Sequence, residues 1–331
     1  MIIGVELDAS MTRTACTMNL NAMIASQIRK RPRLAALLVR AAHKVSPERV
    51  AVLDYPLTLR QRWDYATPHR AMYDIINRNR ELYRSSLRAF LPLSDYLARI
   101  PERYTADSKL SDPCWSNRWM PALDGISIYG FLAIHKPKIY MEVGSGMSTK
   151  FARKAIVDHN LDTHIVSIDP CPRAEVNVLC DEVIRQPVEE VDVREFDRLD
   201  ANDVLFIDNS HRVFMNSDVT TMFLDVLPGL KPGVLVEIHD VFLPYDYPKE
   251  WIHRYYSEQY LLAAYILAQG NMFDIILPNT FVSQDDELRS IMCPLQGNRA
   301  MKDVEMRGLS MWIRMNQAEE NGRLGQRRKA V

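Results

Sequence analysis

The sequence predicts an α/β protein in which a helical N-terminal region precedes a mostly parallel, doubly wound sheet. Two observations lead to this prediction. Between residues 20 and 110 the apolar residues recur at helical spacing, for example at Leu34, Leu37 and Leu38, which is the pattern of amphipathic helices. From about Ile126 onward, short apolar runs alternate with helical segments, which is the pattern of a parallel sheet with crossover connections.

Seven short apolar runs are the candidate strands, and the spacing between most of them leaves room for a helix. A long amphipathic helix over residues 249–269, with Leu262 on its core side, is predicted after the fifth run. The predicted strands are Ile139–Val143, His164–Ile168, 182–186, Val204–Ile207, 234–238, 273–277 and 309–314.

The first strand ends in a glycine turn that carries an acidic residue. In KIYMEVGSGMST, Glu142 precedes Gly144 and Gly146, and Ser148 follows them. Glycines between a strand and a helix let the backbone approach a ligand. The pyrophosphate of a dinucleotide would gain nothing from a neighbouring anion and would favour a third glycine where Thr149 stands. The ammonium and sulfonium of S-adenosylmethionine fit an acidic turn better.

A second acidic residue follows the next strand. Asp169 ends the run HIVSIDP, about 25 residues after the first glycine, at the position where the second parallel strand of such a sheet ends. It is placed to accept hydrogen bonds from a ribose diol. The alternative is that Asp169 only begins a turn with Pro170.

Polar clusters follow the fourth and fifth strands. Asp208 and His211 come after VLFI, and His239 and Asp240 come after GVLVEI. Because ligands bind outside the carboxyl ends of parallel strands, these four side chains should flank the same crevice as the glycine turn. Asp208, His239 and Asp240 suit a divalent cation, and His211 or His239 suits a general base. The alternative is that these groups only satisfy the loop backbone.

Composition narrows the classes of partner. The chain has 331 residues, 47% of them hydrophobic, and a formal net charge of −1, which argues against nucleic-acid binding driven by counterion release. Its five cysteines form no C-x-x-C pair, which indicates free thiols and a cytoplasmic location. No apolar run reaches the length of a membrane span, and neither export nor a membrane partner is expected.

Four segments together resemble the class I S-adenosylmethionine-dependent methyltransferases, in the branch with E-V-G-S-G-x-S-T, I-D-x-S-H and H-D motifs. They are EVGSGMSTKFARKAI, VSIDPCPR, DVLFIDNSHRVF and GVLVEIHDVFLPYDYP, and the resemblance covers roughly residues 120–315. It implies a Rossmann-like seven-stranded sheet whose last strand inserts antiparallel, with S-adenosylmethionine as cofactor. The implied cofactor-binding residues are Glu142, Gly144, Gly146, Ser148, Asp169, Pro170 and Asp208.

The resemblance also carries expectations about metal and acceptor. Catechol-type relatives hold a metal at positions that read Asp208, His239 and Asp240 here, and the histidine replaces an aspartate. The divalent ion would be Mg²⁺, Mn²⁺ or Fe²⁺. An oxygen acceptor on a small molecule, of the kind modified in natural-product or sugar tailoring, is expected. The aromatic residues expected to contact the acceptor are Tyr245, Tyr247, Trp115 and Trp119.

The predicted organisation is a helical region over 1–110, the cofactor-binding domain over 111–315 and a disordered tail over 316–331. The helical region would serve either as a cap over the site or as the interface of a homodimer. Other functions remain open at this point. They are methylation of nitrogen in a small molecule or peptide, an NAD-dependent oxidoreductase, and a non-catalytic binding protein with the same fold.

Overall fold

The computed structural model describes residues 30–46, 50, 52, 57–106, 108–109, 111–172, 176–268 and 270–317. The chain divides into two compact units. The first comprises residues 1–61 with 248–255, and the second comprises 62–247 with 256–331. The predicted helix before residue 30 and the predicted disorder beyond residue 317 lie outside the described residues.

The first unit contains helix α1, Pro32–Val45, and a 3₁₀ segment, Lys249–Arg254. The predicted helix is present, and Leu34, Leu37 and Leu38 share one face of it by their spacing. That face is exposed, with Leu37 at 65%, whereas Ala35 and Val39 are buried. The alanine and valine lie four residues apart and so share one side of the helix.

The second unit is built on a seven-stranded sheet, which confirms the predicted fold class. Its strands are β1 Ile139–Val143, β2 His164–Ile168, β3 Glu182–Ile184, β4 Val204–Ile207, β5 Leu235–Ile238, β6 Phe273–Pro278 and β7 Met311–Met315. Their spatial order is β3-β2-β1-β4-β5-β7-β6. Strand β7 runs antiparallel to both β5 and β6, as predicted for the last strand.

The central strands of this sheet are buried and largely apolar, as expected for parallel strands covered by helices on both faces. The exceptions are Glu142 in β1 and Glu237 in β5, which are also buried. All four residues of β4 and of β5 are buried. The helices of the second unit are α2 Arg70–Asn77, α3 Arg80–Phe90, α4 Ser94–Leu97, α5 Ala122–His135, α6 Met147–His159, α7 Asp218–Thr221, α8 Glu258–Leu267, α9 Asn279–Gln284, α10 Asp286–Ser290 and α11 Cys293–Gln296.

Two sequence expectations differ from the structure in their boundaries. Helices α2–α4 contribute Met72, Leu87 and Phe90 to the same apolar core as the sheet, whereas the sequence assigned them to a separate N-terminal region. The predicted domain limits otherwise stay predictions. The predicted helix over 249–269 is wrong in length, because Tyr255 has a left-handed backbone (φ +57°) and α8 begins only at Glu258. In the part of the chain that the structure describes, no helix has the length and apolarity needed to cross a membrane.

Candidate active site

The glycine turn after β1 is held between the ends of two neighbouring strands. The Gly144 amide donates to the Ile168 carbonyl at 3.0 Å, and the Asp208 amide donates to the Val143 carbonyl at 2.9 Å. Gly144 has φ +83°, and a Cβ there would lie 2.0 Å from the Asp208 carbonyl oxygen. Only glycine fits this position, and the turn therefore fixes the end of β1 against the end of β4.

Glu142 lies inside the protein, beneath this turn. Its side chain is fully buried, and its two carboxyl oxygens accept hydrogen bonds from the Ser148 hydroxyl at 2.9 Å and the Thr149 hydroxyl at 2.5 Å. Burial raises the pKa of Glu142 to about 8, although both hydroxyls oppose the shift. The carboxyl group therefore ties β1 to the first turn of α6, and the predicted contact between Glu142 and the cofactor stays a prediction.

A cavity of about 330 Å³ opens beside the turn. Of the residues predicted from the sequence, Gly146, Ser148, Asp208 and Trp119 line it. A Cβ at Gly146 would meet nothing within 4 Å, so the missing side chain leaves this wall open. The other lining residues are Tyr104, Cys114, Ser116, Asn117, Arg118, Met120, Ser145, Met147 and Lys150.

Asp169 closes the turn from the end of β2. One of its carboxylate oxygens accepts from the Ser145 amide at 2.9 Å and the Ser145 hydroxyl at 3.2 Å, and the other accepts from the Cys171 amide at 2.8 Å. The hydrogen bond from the Cys171 amide closes a local turn that contains the exposed Pro170. A turn of this kind was the alternative to ribose binding by Asp169. Asp169 remains half-buried, and its role toward a ribose stays a prediction.

The four polar residues after β4 and β5 come together, as predicted. The His211 Nε2 atom lies 3.1 Å from an Asp208 oxygen and 3.5 Å from an Asp240 oxygen. The His239 Nδ1 atom lies 3.6 Å from Asp208 and 3.5 Å from Asp240. Both imidazoles therefore face the same two carboxylates.

Each histidine also has an acidic residue behind it. The second nitrogen of His211 lies 2.8 Å from a Glu258 oxygen, and the second nitrogen of His239 lies 3.6 Å from an Asp124 oxygen. Asp124 is itself held rigidly, because it accepts hydrogen bonds from Asn279 and from the residues that precede β7. The site therefore contains two carboxylate–histidine pairs that converge on Asp208 and Asp240.

The electrostatics of this cluster are dominated by its acidic residues. Burial alone would lower the pKa values of His211 and His239, but the surrounding carboxylates outweigh it and raise both. Burial alone would raise the pKa of Asp208, but the two histidines hold it well below its usual range. The carboxylates of this cluster therefore favour positive charge beside them, from protons or from a bound cation.

Backbone strain is concentrated at the same place. His211 has φ +59° and Asp240 has φ +54°, a left-handed conformation that costs about 1 kcal/mol or more for a residue with a side chain. The His211 carbonyl accepts hydrogen bonds from the amides of Ser257 and Glu258, at 2.7 Å and 3.1 Å. The start of α8 thereby holds the strained histidine in place.

The donor set fits a divalent cation. Atoms of Asp208, His211 and Asp240 that suit as ligands lie within 4.8 Å of one another. The sequence named His239 rather than His211 as the nitrogen donor, but the geometry brings both imidazoles to the two carboxylates. Both ring nitrogens of His239 are buried without a hydrogen-bond partner, and its Nδ1 atom is the one that faces the two carboxylates.

The aromatic residues predicted to contact an acceptor are dispersed. Among these four described residues, only Trp119, which is 59% exposed, lines the cavity. Tyr245 is buried edge-on against Tyr65, with ring centroids 4.8 Å apart, and Trp115 is buried against Phe151 at 5.3 Å. Tyr247 is also buried, and its hydroxyl accepts from the Gln259 amide at 3.3 Å. In this structure Tyr245, Tyr247 and Trp115 are packing residues.

Sequence reasoning did not identify three residues of the site. Asp124 lies in the apolar helix α5, where an acidic residue was itself a signal of a buried partner. Glu258 begins α8 and resembled an ordinary acidic residue of a first helical turn. Lys150 follows the glycine motif and lines the cavity, but nothing in the local pattern distinguishes it from a surface lysine.

Comparison with known proteins supports a methyltransferase domain. Residues 141–241 match the model of a family described as a methyltransferase domain. This range contains the glycine turn, Asp169 and the polar residues after β4 and β5. No curated protein matches the chain.

Solved structures that resemble the chain include three methyltransferases. The SAH-bound Podospora anserina methyltransferase PaMTH1 is 16% identical, with a TM-score of 0.36 over 58% of this chain and 78% of that one. The plantazolicin methyltransferase BpumL is 15% identical, with a TM-score of 0.39 over 58% and 83%. The O-methyltransferase TomG from Streptomyces achromogenes is 19% identical, with a TM-score of 0.30 over 46% and 71%.

Proposed function

We propose that the chain is an S-adenosylmethionine-dependent methyltransferase that methylates a hydroxyl group of a small molecule. The observation that carries this proposal is the cavity beside the glycine turn, which has Gly146 on one wall and the Asp208 carboxylate on another. Gly146, Ser148 and Asp208 on the walls of this cavity lie within the residues that match a methyltransferase domain. S-Adenosylmethionine supplies an activated methyl group when bound, so the protein's main task is to position the acceptor.

The charge around the turn favours a cationic cofactor over a dinucleotide. Asp169 closes the turn from the end of β2, and Asp208 follows the neighbouring strand β4. These carboxylates attract an ammonium or a sulfonium and repel a pyrophosphate. This supports S-adenosylmethionine rather than NAD as the ligand.

A divalent cation held by Asp208, His211, His239 and Asp240 is part of the proposal. The four distances that join the imidazole nitrogens to the carboxylate oxygens are 3.1, 3.5, 3.6 and 3.5 Å. The edge of a tetrahedron with metal–ligand bonds of about 2.1 Å is about 3.4 Å, and these nitrogen–oxygen distances are close to it. The ligand atoms of Asp208, His211 and Asp240 all lie within 4.8 Å of one another. Mixed imidazole and carboxylate donors suit Mn²⁺, Fe²⁺ or Zn²⁺ better than Mg²⁺.

The residues behind the two histidines support the same interpretation. Histidines that bind metals usually direct their second nitrogen toward a carboxylate, which fixes the ring and its tautomer. Glu258 occupies that position for His211, and Asp124 occupies it for His239. A general base, by contrast, needs a nitrogen that is free to reach the acceptor, whereas both nitrogens of each ring face carboxylates of the cluster.

The reaction step that this cluster serves is removal of a proton from the acceptor. A divalent cation, when bound, lowers the pKa of a hydroxyl group in contact with it. Asp208 is the partly exposed member of the cluster, at 37% of its side chain, and it also lines the cavity. It thus connects the proposed cofactor site to the deprotonating groups. A neutral amine needs no such machinery, and this favours an oxygen acceptor.

The test of activity is release of S-adenosylhomocysteine from the full chain, which mass spectrometry detects for any acceptor. A panel of small-molecule diols, phenols and sugars, and a matched panel of amines, would be supplied with S-adenosylmethionine and Mn²⁺. The proposal predicts that S-adenosylhomocysteine is released with a hydroxyl acceptor. Asp208→Asn should abolish this release, and so should chelation of the divalent cation. Turnover with amines alone, or turnover that withstands chelation, would contradict the corresponding part of the proposal.

The metal site has a test that needs no acceptor. Mn²⁺, Fe²⁺ or Zn²⁺ should raise the melting temperature of the protein, because the ion binds only the folded state. His211→Ala should abolish this shift. His164→Ala is the matched control, because this histidine is half-exposed at the start of β2, at the opposite end of the strand from the cluster. An equal shift in both variants would contradict the assignment.

A further inference from the structure

Helix α1 of the first unit carries an apolar stripe that is exposed in the described part of the chain. The residues of this stripe follow the spacing i, i+3, i+4, i+7 and i+11, so they share one side of the helix. They are Leu34, Leu37, Leu38, Ala41 and Val45. Single exposed apolar residues are ordinary, but a contiguous apolar stripe marks an interaction surface.

A different side of α1 packs within the first unit. Ala35 and Val39 are buried on that side. At the end of the helix a hydrogen bond of 2.6 Å joins the His43 ring to the carbonyl of the buried Val50. The small side chains therefore face the interior of the unit, whereas the larger leucines face away from it.

A row of basic residues runs along one edge of the apolar stripe. Arg33, Arg40 and Lys44 recur at i, i+7 and i+11, and at about 3.6 residues per turn this row borders the leucines on the side away from the buried residues. Two more basic residues, Lys30 and Arg31, directly precede the helix. All five are exposed, and the segment contains no acidic residue. The surface around the stripe is therefore positively charged, in a chain whose formal net charge is −1.

We propose that α1 binds the surface of an anionic phospholipid membrane, with its leucines at the acyl boundary and its basic row at the headgroups. An apolar helix face bordered by basic residues is the pattern of a helix that lies in the membrane interface. A second copy of the chain fits this face less well, because two α1 helices would present only basic residues, which repel each other and form no ion pairs. A membrane partner is not expected from the sequence because no apolar run reaches spanning length, but a helix in the interface needs no such run.

Flotation of the full chain with lipid vesicles tests this inference without cofactor or acceptor, so the result is independent of the methyltransferase proposal. One set of vesicles contains phosphatidylcholine alone, and the other contains equal parts of phosphatidylcholine and phosphatidylserine. We expect the protein to bind the anionic vesicles at least about 10-fold more tightly than the neutral ones. Added salt should weaken this binding, because it screens the basic row.

Two substitutions assign the binding to α1, each with a matched control in the second unit. Leu37→Gln should weaken binding to the anionic vesicles about 10-fold, because it removes an apolar side chain from the stripe. Leu224→Gln is its control, since Leu224 is exposed to a similar degree. Arg40→Glu should weaken binding about 10- to 30-fold, because it replaces a positive charge with a negative one. Arg299→Glu makes the same change at an exposed position outside α1.

Three results would overturn the inference. The first is that the unmodified protein does not bind the anionic vesicles. The second is that it binds neutral and anionic vesicles equally well, and the third is that the substitutions in α1 weaken binding no more than their controls. If vesicle binding is absent, analytical ultracentrifugation of the unmodified protein and of Leu37→Gln identifies a second copy as the occupant, because a dimer that dissociates in the variant would use this stripe.

Discussion

Glu142→Gln should remove a large pH dependence from the stability of the fold. Glu142 is fully buried, and its pKa is raised from an ordinary 4.5 to about 8. Each pKa unit corresponds to about 1.4 kcal/mol of differential stability. The difference of 3.5 units (8 minus 4.5) therefore corresponds to about 5 kcal/mol.

The sign of this effect follows from where the proton is bound. Between pH 4.5 and pH 8 the folded protein keeps the Glu142 proton, whereas the unfolded chain has lost it. The folded state binds more protons there, so its free energy of unfolding falls as the pH rises. The contribution is fully present below pH 4.5 and is lost as the pH passes about 8. A glutamine carries no charge at any of these pH values.

Urea unfolding of both proteins without ligand, at several pH values from 4.5 to 8.5, measures this contribution. Other titrating groups occur in both proteins, so their effects largely cancel when the two curves are subtracted. We expect the unmodified protein to lose about 5 kcal/mol relative to Glu142→Gln over this range. Parallel curves, with a difference that changes by less than about 1 kcal/mol, would refute the burial argument for Glu142.

Three further predictions follow from the geometry of the site. Gly144→Ala should prevent folding or cost several kcal/mol of stability, because its Cβ would lie 2.0 Å from a backbone oxygen. Gly146→Ala should leave thermal stability nearly unchanged, because its Cβ would meet nothing within 4 Å. Equal melting temperatures of the two variants would contradict this prediction. Asp124→Ala should lower the free energy of unfolding in urea by about 3 to 5 kcal/mol, because it leaves buried donors and a buried histidine unpaired. Ser127→Ala is the milder variant, because it removes hydroxyl contacts from the same network but keeps the Asp124 carboxylate. It should cost about 1 kcal/mol. Glu258→Gln should weaken Mn²⁺ binding about 10- to 100-fold by calorimetry, and an unchanged affinity would contradict the role of this residue behind His211.

The sheet could be predicted from the sequence because its signals are local. The apolar runs that form β1, β2 and β4 are bounded by polar residues or glycine. In the structure, all three strands span the residues that the sequence pattern predicted. The glycine turn and the acidic residues after the strands were predictable for the same reason, since parallel strands bring their carboxyl ends to one edge.

The contacts that complete the site could not be predicted, because they join residues that are distant in the sequence. His211 and Glu258 are 47 residues apart, and Asp124 and Ser310 are 186 residues apart. Only the packing of α5 and α8 brings them together. The burial of Tyr245 against Tyr65 was not predicted, for a related reason. A tyrosine in a loop beside a site can as well fill the core, and only the fold distinguishes these positions.

Calorimetric titration with S-adenosylmethionine and with NAD, on protein freed of copurified ligand, tests the central claim most directly. We expect S-adenosylmethionine to bind and NAD to fail to bind. Asp208→Asn should weaken the binding of S-adenosylmethionine, because this carboxylate lines the cavity. Binding of NAD in place of S-adenosylmethionine, or of neither ligand, would contradict the assignment of the glycine turn to a cationic methyl donor.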